Sequence, residues 1–319
     1  MGKVFCIGDF TVDMIVPFGE MKDTVKGFSK DSSRKSPRIY TQAGGGIANT
    51  SLALARLGIV PTIVSKIGSD SCAREAIEFI KNAGVDTSQL IIDPGSAKII
   101  GVVIDSDGER YVSTWMRPDS CNGEFSAGDT SGIDVSGCTW VHTGGINITG
   151  CGEHEREIVS FVRRCRESGA AVSFDLNLRY ETFGYDEGRK KIFDELIDLS
   201  DIVLGSGIDE FGPATGKSDI IEAGMSIADK GKTVVVRDKA KPVVLISGGR
   251  KTTRDVFHVH QLHTVGAGDS FDAGFIAAEV YGKSHETAVA WGCACAARTI
   301  SRMEPMTVPD LSELQALQD

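Results

Sequence analysis

The chain of 319 residues has no CxxC pair, and its basic residues are fewer than its acidic ones. No apolar run approaches the roughly 20 residues that a membrane-spanning helix needs. Each absence closes a class. The eight cysteines (Cys6, Cys72, Cys121, Cys138, Cys151, Cys165, Cys293 and Cys295) are scattered without zinc-ligand spacing, and most sit in apolar or small-residue surroundings that read as buried free thiols. With 34 Lys and Arg against 44 Asp and Glu, the net charge of −10 argues against broad binding to nucleic acid or to an anionic membrane surface. Nucleotides remain open as ligands, because a small phosphate site needs only local donors. The opening MGKVFCIGDF reads as a strand without a signal-peptide pattern, and the expectation is a cytoplasmic protein. Hydrophobic residues at 41% are enough for one large α/β domain or a domain with an appendage.

What is present is organised around Leu262–Phe275, LHTVGAGDSFDAGF. It reads as a strand end, a glycine turn and a helix. Gly266 and Gly268 remove Cβ atoms that would keep backbone N–H groups from converging on an anion, and the helix behind adds its own unpaired donors. Asp269 lies in that first turn, either as an N-terminal helix residue or as a base. On these residues alone, an ordinary loop-to-helix turn and a phosphate cradle beside a carboxylate both fit. Ala43–Gly58 places three glycines before a helix, with Asn49 one turn in; this is either a tight packing turn or a place where a ligand approaches the backbone. Asp13, a carboxylate in a strand-like stretch, faces either solvent or a ligand hydroxyl. Pro17–Gln42 is a polar excursion, read as a lid or loop. Asp105–Gly108 between Ile99–Ile104 and Arg110–Met116 signals a hairpin, with Arg117 at its exit.

Alternating strands and helices elsewhere argue for a parallel sheet covered on both faces. Ligands in such sheets bind beyond the carboxyl ends of the strands. Asp13, Gly44–Asn49, Arg179, Glu210 and Asp269 all fall at or just after expected strand ends, which makes one shared cleft. Asp272 reads as a solvated or capping residue, His142, His258 and His260 as strand-edge histidines, and Cys293 and Cys295 as small core residues. Trp115 reads as an aromatic of the lid core or one stacked on a sugar.

Two stretches together, Ala43–Gly58 and Thr264–Phe275, resemble the glycine and GAGD signatures of the ribokinase (PfkB) family of carbohydrate kinases. Between them VSKIGSD at 64–70, NAGVDTS at 82–88, DGER at 107–110 and DLNLR at 175–179 follow in the family's order. The resemblance covers nearly the whole chain. It implies an α/β/α sandwich with a central, mostly parallel sheet and a small β lid. The main domain would take residues 1–16, 43–97 and 119–319, and the lid 17–42 and 98–118. It implies ATP-dependent phosphorylation of a hydroxyl of a small sugar or sugar acid, with Mg²⁺ as the metal. Asp269 would be the base, and Gly266, Ala267 and Gly268 the anion hole. Asp13, Gly44, Gly45 and Asn49 would hold sugar hydroxyls, with Arg117 and Arg179 the arginines of the branch handling keto-sugars and sugar acids. Glu210 would help hold magnesium indirectly. Thr264, Arg237 and Lys239 are candidates for the nucleotide phosphates. A nucleoside kinase and a non-catalytic sugar-binding relative share the fold, and the lid allows a homodimer.

The departures from the family pattern cluster on the nucleotide side. His263 stands where an acid usually helps build a monovalent-cation site, and Gly207 where an Asn usually precedes Glu210. Arg237–Pro242 replaces a glycine-bearing turn, and Glu304-Pro305 a Gly-Ala pair.

Overall fold

A computed structural model describes residues 2–17, 40–104, 110–115, 118–302 and 306–317. Its centre is strand β1 (Lys3–Ile7), where Val4 through Ile7 are all buried. Alternate residues of a strand point to opposite faces. Val4 and Cys6 accordingly join one hydrophobic cluster, and Phe5 and Ile7 the other. A strand packed on both sides has no polar face, which is why β1 and β11 (Thr233–Arg237) show no polar alternation.

Nine strands form the main sheet in the order β13-β12-β11-β10-β9-β8-β1-β4-β5. These are β4 (Pro61–Ile67), β5 (Leu90–Ile92), β8 (Cys138–Gly144), β9 (Ala171–Asp175), β10 (Ile202–Ser206), β12 (Val243–Ser247) and β13 (Arg250–Arg254) around β1 and β11. From β11 to β5 every pair is parallel, and β12 and β13 add an antiparallel edge. One face carries helices Gly46–Arg56, Ser71–Asn82, Ala267–Val280 and His285–Ile300, whose apolar residues fill the first cluster. The other face carries Glu153–Glu167, Glu187–Leu199, Ile208–Thr215 and Ile220–Ala228. Asp70, Asp186, Asp219 and Ser284 start their helices by accepting first-turn backbone N–H groups. The expected α/β/α sandwich with a mostly parallel sheet is the architecture found.

A separate four-stranded sheet has the order β3-β2-β6-β7, with β2 (Thr11–Pro17), β3 (Tyr40–Gly44), β6 (Ile99–Ile104) and β7 (Arg110–Trp115). The boundary expected at residue 17 is corrected here: Thr11–Val16 and Ala43–Gly44 pair in the small sheet. Gly8, at φ +150°, turns the chain off β1, and a Cβ there would come within 2.3 Å of Asn147 Nδ2. Phe10, Val12 and Ala43 join the first cluster of the main sheet, so the two sheets share buried apolar contacts at their junction, while Ile15 packs with Val102 in a separate small cluster. The 105–108 turn, Arg117 and most of the Pro17–Gln42 excursion lie outside the described residues. The Trp115 side chain and Glu304-Pro305 lie outside them as well. Among the described residues no helix is long and apolar enough to cross a membrane.

Candidate active site

Because β1, β8, β9, β10 and β11 run parallel, their carboxyl ends meet at one edge, and the candidate residues gather there. Gly266 adopts a left-handed conformation (φ +72°) as the residue before helix Ala267–Val280. A Cβ on it would also sit 2.6 Å from Met306 Sδ, so only glycine fits. At Gly268 a Cβ would meet nothing nearer than 3.6 Å, so the protein itself leaves that space open. Among the described residues the backbone N–H groups of Gly268 and Asp269 have no carbonyl partner, as expected for a helix's first turn. The local sequence thus builds a concave, donor-lined turn.

Asp269 is partly buried, and its Oδ2 accepts a 2.9 Å hydrogen bond from Asn49 Nδ2. Thr50 Oγ1 donates to the Asp269 carbonyl at 3.3 Å. The two glycine stretches of the sequence therefore meet side by side. Burial pushes the Asp269 carboxyl up to about 7; the Asn49 bond and Arg179 oppose that, while the charges of Asp9 and Asp175 add to it.

Beneath Asp269 lies an ion cluster that the sequence did not reveal. Arg237 is only 8% exposed. It donates to Asp175 Oδ1 at 2.6 Å, Asp272 Oδ1 at 2.8 Å, and the carbonyls of Gly268 and Gly205, both at 3.3 Å. Its guanidinium also lies 5.2 Å from the Phe271 ring centroid. With four of its five N–H donors engaged and the group buried, Arg237 forms a clasp between β9, β11 and the 267–280 helix, in place of the phosphate contact expected of it. Asp272, expected in solvent, is 1% exposed, because that helix is buried nearly all round. His142 is buried rather than at a strand edge, with Nδ1 2.9 Å from Ser173 Oγ and Nε2 4.0 Å from Asp272 Oδ2. Burial holds its pKa down at about 4 and keeps it neutral. His258 and His260 are exposed and outside any strand.

The opposite wall comes from Asp9, Asp13 and the glycines. Asp9 was absent from the sequence reading, although its position directly after β1 is the signal that could have found it. Its carboxylate accepts from the backbone N–H groups of Gly46 and Ile47 at 2.9 and 3.1 Å, capping the 46–56 helix from a distance. Asp13 is buried and accepts from Thr11 Oγ1 at 3.2 Å. Burial pushes it up to about 7, with Asp9 and Asp269 adding to that and the Thr11 bond opposing it. Gly44 lies against it so closely that a Cβ would fall 1.8 Å from Asp13 Oδ1. Gly45, at φ +94°, packs on the Asp9 carbonyl, and a Cβ on Gly46 would be 3.4 Å from Asp269 Oδ1. Among the described residues the buried acceptors Asn49 Oδ1 and Asn177 Oδ1 have no hydrogen-bond partner, nor has Gln42 Oε1, whose residue lines a space against helix Ser71–Asn82. Unpaired buried acceptors are costly, and those of Asn49 and Asn177 are where a ligand's hydroxyls would be held.

The remaining candidates lie at the rim. Arg179 is exposed, in a left-handed conformation (φ +50°), and its charge lowers the pKa of both Asp269 and Glu210. Glu210 Oε2 accepts the Ser206 N–H at 2.7 Å; burial and the Asp175 charge push its pKa up to about 8. Gly207 takes φ +75°, a conformation that suits glycine at this departure. Thr264 and Lys239 are exposed, and Lys239 holds φ +54°. His263 is buried, with Nε2 2.6 Å from the Arg302 carbonyl. No group of three His, Cys, Asp or Glu side chains among the described residues could hold a metal ion. Magnesium bound through phosphates and water, with one carboxylate nearby, is compatible with that donor set.

A mostly parallel sheet with a second small sheet, closing over a glycine turn and a carboxylate at the strand ends, defines a ribokinase-like protein. A family model described as pfkB family carbohydrate kinase matches residues 1–311, and the chain belongs to that family. It is 28% identical over 331 residues to a fructokinase of Vibrio alginolyticus, covering 98% of each chain. It is also similar to the fructokinase of Vibrio cholerae O395, solved in a fructose-, ADP- and calcium-bound form: TM-score 0.79, 26% identity, 99% of this chain and 98% of that one. The fold matches a fructokinase of Xylella fastidiosa with bound ATP at TM-score 0.79 and 22% identity, covering 98% of this chain and 97% of that one.

Proposed function

We propose that this carbohydrate kinase transfers the γ-phosphoryl group of ATP to a hydroxyl of a small sugar or sugar acid, with Asp269 as the base. The carrying observation is the Asp269 carboxylate: partly open to the cleft, oriented by Asn49, and raised to about 7. A base poised near the working pH combines readiness to accept a proton with a usable fraction in the charged form. The sugar hydroxyl donates its proton to Asp269 as it attacks. The unpaired N–H groups of Gly268 and Asp269 face the developing charge on the transferred group, from a helix N-terminus that favours anions, while the Ala267 N–H turns to the Thr264 carbonyl at 3.4 Å. Mg²⁺, when bound with the nucleotide, neutralises phosphate charge. Glu210, held by the Ser206 N–H beside the turn, would help hold it indirectly. Gly268 leaves room for the phosphate, and Thr264 and Lys239 stand exposed beside the turn.

On the sugar side Asp13, Asn49 and the unpaired acceptor of Asn177 receive hydroxyls, with Gly45 allowing the approach. Arg179 supplies a fork of donors for a carboxylate or keto oxygen. The fructokinase relatives make fructose the first acceptor to try. A coupled assay with ATP, Mg²⁺ and a sugar panel is the test. Asp269→Asn should lose about 10²–10⁴-fold in kcat with sugar affinity retained; unchanged activity would remove Asp269 as the base.

A further inference from the structure

The described residues form an open groove well away from Asp269. The cavity at Asp269 is only about 10 Å³, floored by Asp175, Asn177 and Asp272. Ile146 forms one of its walls and also lines a second cavity of about 70 Å³ beside Asp9 and Asn147. That second cavity shares Asn122, Glu124, Thr149 and His154 with the open groove of about 530 Å³ reaching to Lys66. The three spaces thus lie side by side: Ile146 stands between the one at Asp269 and the second, and Asn122, Glu124, Thr149 and His154 border both the second and the groove.

The groove is built rather than incidental. Glu155 accepts the backbone N–H groups of Thr149, Gly150 and Gly152 at 2.7–3.1 Å, which fixes the loop along one side. His154 is locked as a wall: Nδ1 accepts the Phe125 N–H, and Nε2 donates to the Asn147 carbonyl, both at 3.0 Å. Lys66 is paired with Asp129 at 3.2 Å. Lys98, Asn122 and Glu124 also line the path, and their heads have no hydrogen-bond or ion-pair partner among the described residues. An ammonium, an amide and a carboxylate offer both donors and acceptors, and the further carboxylates of Asp93 and Glu153 on the groove disfavour an anionic substituent. Phe125, the aromatic of the groove, is 2% exposed and stacked on His154, so it offers no face to a nucleobase.

We propose that the acceptor is an extended sugar whose hydroxyl-rich, uncharged substituent, such as a second sugar ring, lies along the Asn122–Lys98–Glu124 groove while its reacting ring sits at Asp269. This rests on the kinase reading above and names the class of substrate for that site. A pocket that fixes orientation with a few placed polar groups is the usual design for such recognition.

The probes are fructose against turanose and lactulose, which keep a fructose ring with free primary hydroxyls and add a second ring. The disaccharide with the better kcat/KM should exceed fructose by at least tenfold. Thr149→Trp, at the junction of the two outer spaces, should remove that advantage while leaving fructose turnover within twofold. Lys98→Met and Glu124→Gln, as surface changes that do not depend on filling the groove, should each lower the disaccharide-to-fructose ratio by threefold to tenfold. Fructose preferred over both disaccharides, or equal losses for fructose and disaccharide in these variants, overturns the proposal. Inosine phosphorylated faster than either disaccharide overturns the hydroxyl-rich assignment. Should no sugar be phosphorylated, calorimetry separates the two readings: turanose binding that Thr149→Trp abolishes keeps the groove and sinks the kinase reading, whereas no saccharide binding sinks the groove as well.

Discussion

The two sides of the cleft carry carboxylates on opposite terms. Under Asp269, Asp175 and Asp272 share the guanidinium of Arg237 and are buried with it. Across from them, Asp9, Asp13 and Asp269 form no ion pair with a described residue; helix N–H groups, one hydroxyl and one amide hold them. A paired, desolvated cluster fixes geometry, while carboxylates without a cation keep capacity for something that arrives. The paired side is therefore the mounting of the site, and the unpaired side is where ligand chemistry belongs.

Breaking the unpaired side should hurt function most. Asp269→Asn should cost kcat about 10²–10⁴-fold, yet it should not destabilise the fold. The sign follows from titration. Asp13 and Asp269 are held at about 7 in the folded state against an ordinary 3.8, so the folded protein binds more protons across that window. Stability conferred by those protons is present at low pH and declines as pH rises from about 4 through 7. Asparagine at either position removes the penalty, so the melting temperature of the variant relative to the parent should be higher at pH 8 than at pH 4. A larger gain at pH 4 would reverse the assignment.

Breaking the paired side should instead be a stability event. Arg237→Met leaves two buried carboxylates without their cation and should cost about 3–5 kcal/mol in urea unfolding. Adding Asp175→Asn and Asp272→Asn should recover part of that loss, and a triple variant no more stable than the single one would argue against the clasp. Removing the remote helix cap by Asp9→Ala should cost about 1 kcal/mol. At the rim, Arg179→Met should weaken a sugar-acid substrate more than a neutral sugar, read as the ratio of their kcat/KM values. Lys239→Gly is the smallest change. It should gain about 1 kcal/mol or less, the relief of a left-handed backbone less glycine's own entropy.

Much of this was legible in the residues. The alternation of strands and helices, the turn at Gly266–Gly268, and the placement of Asn49 and Asp269 at strand ends led to one cleft, because periodicity and glycine chemistry are local. Arg237 was not legible in the same way. A basic residue ending a strand looks solvated until residues 62 and 35 positions away close around it. Asp272 misled for the same reason. The first strands of the small sheet were assigned to the wrong body because pairing partners, unlike strand propensity, are set by where Gly8 sends the chain.

The bond between Asn49 and Asp269 joins residues 220 positions apart, and Thr50 adds a second link to the same backbone. Chain synthesis at about 5–20 residues per second would separate their emergence by roughly 10–40 s. Through that interval the first helix has its Asp9 cap but no partner for Asn49. Until Asp269 emerges, neither of these links can form. A truncation before the glycine turn would also remove helices Ala267–Val280 and His285–Ile300 and with them much of the apolar cover on one face of the sheet, so the cleft and that face are completed together.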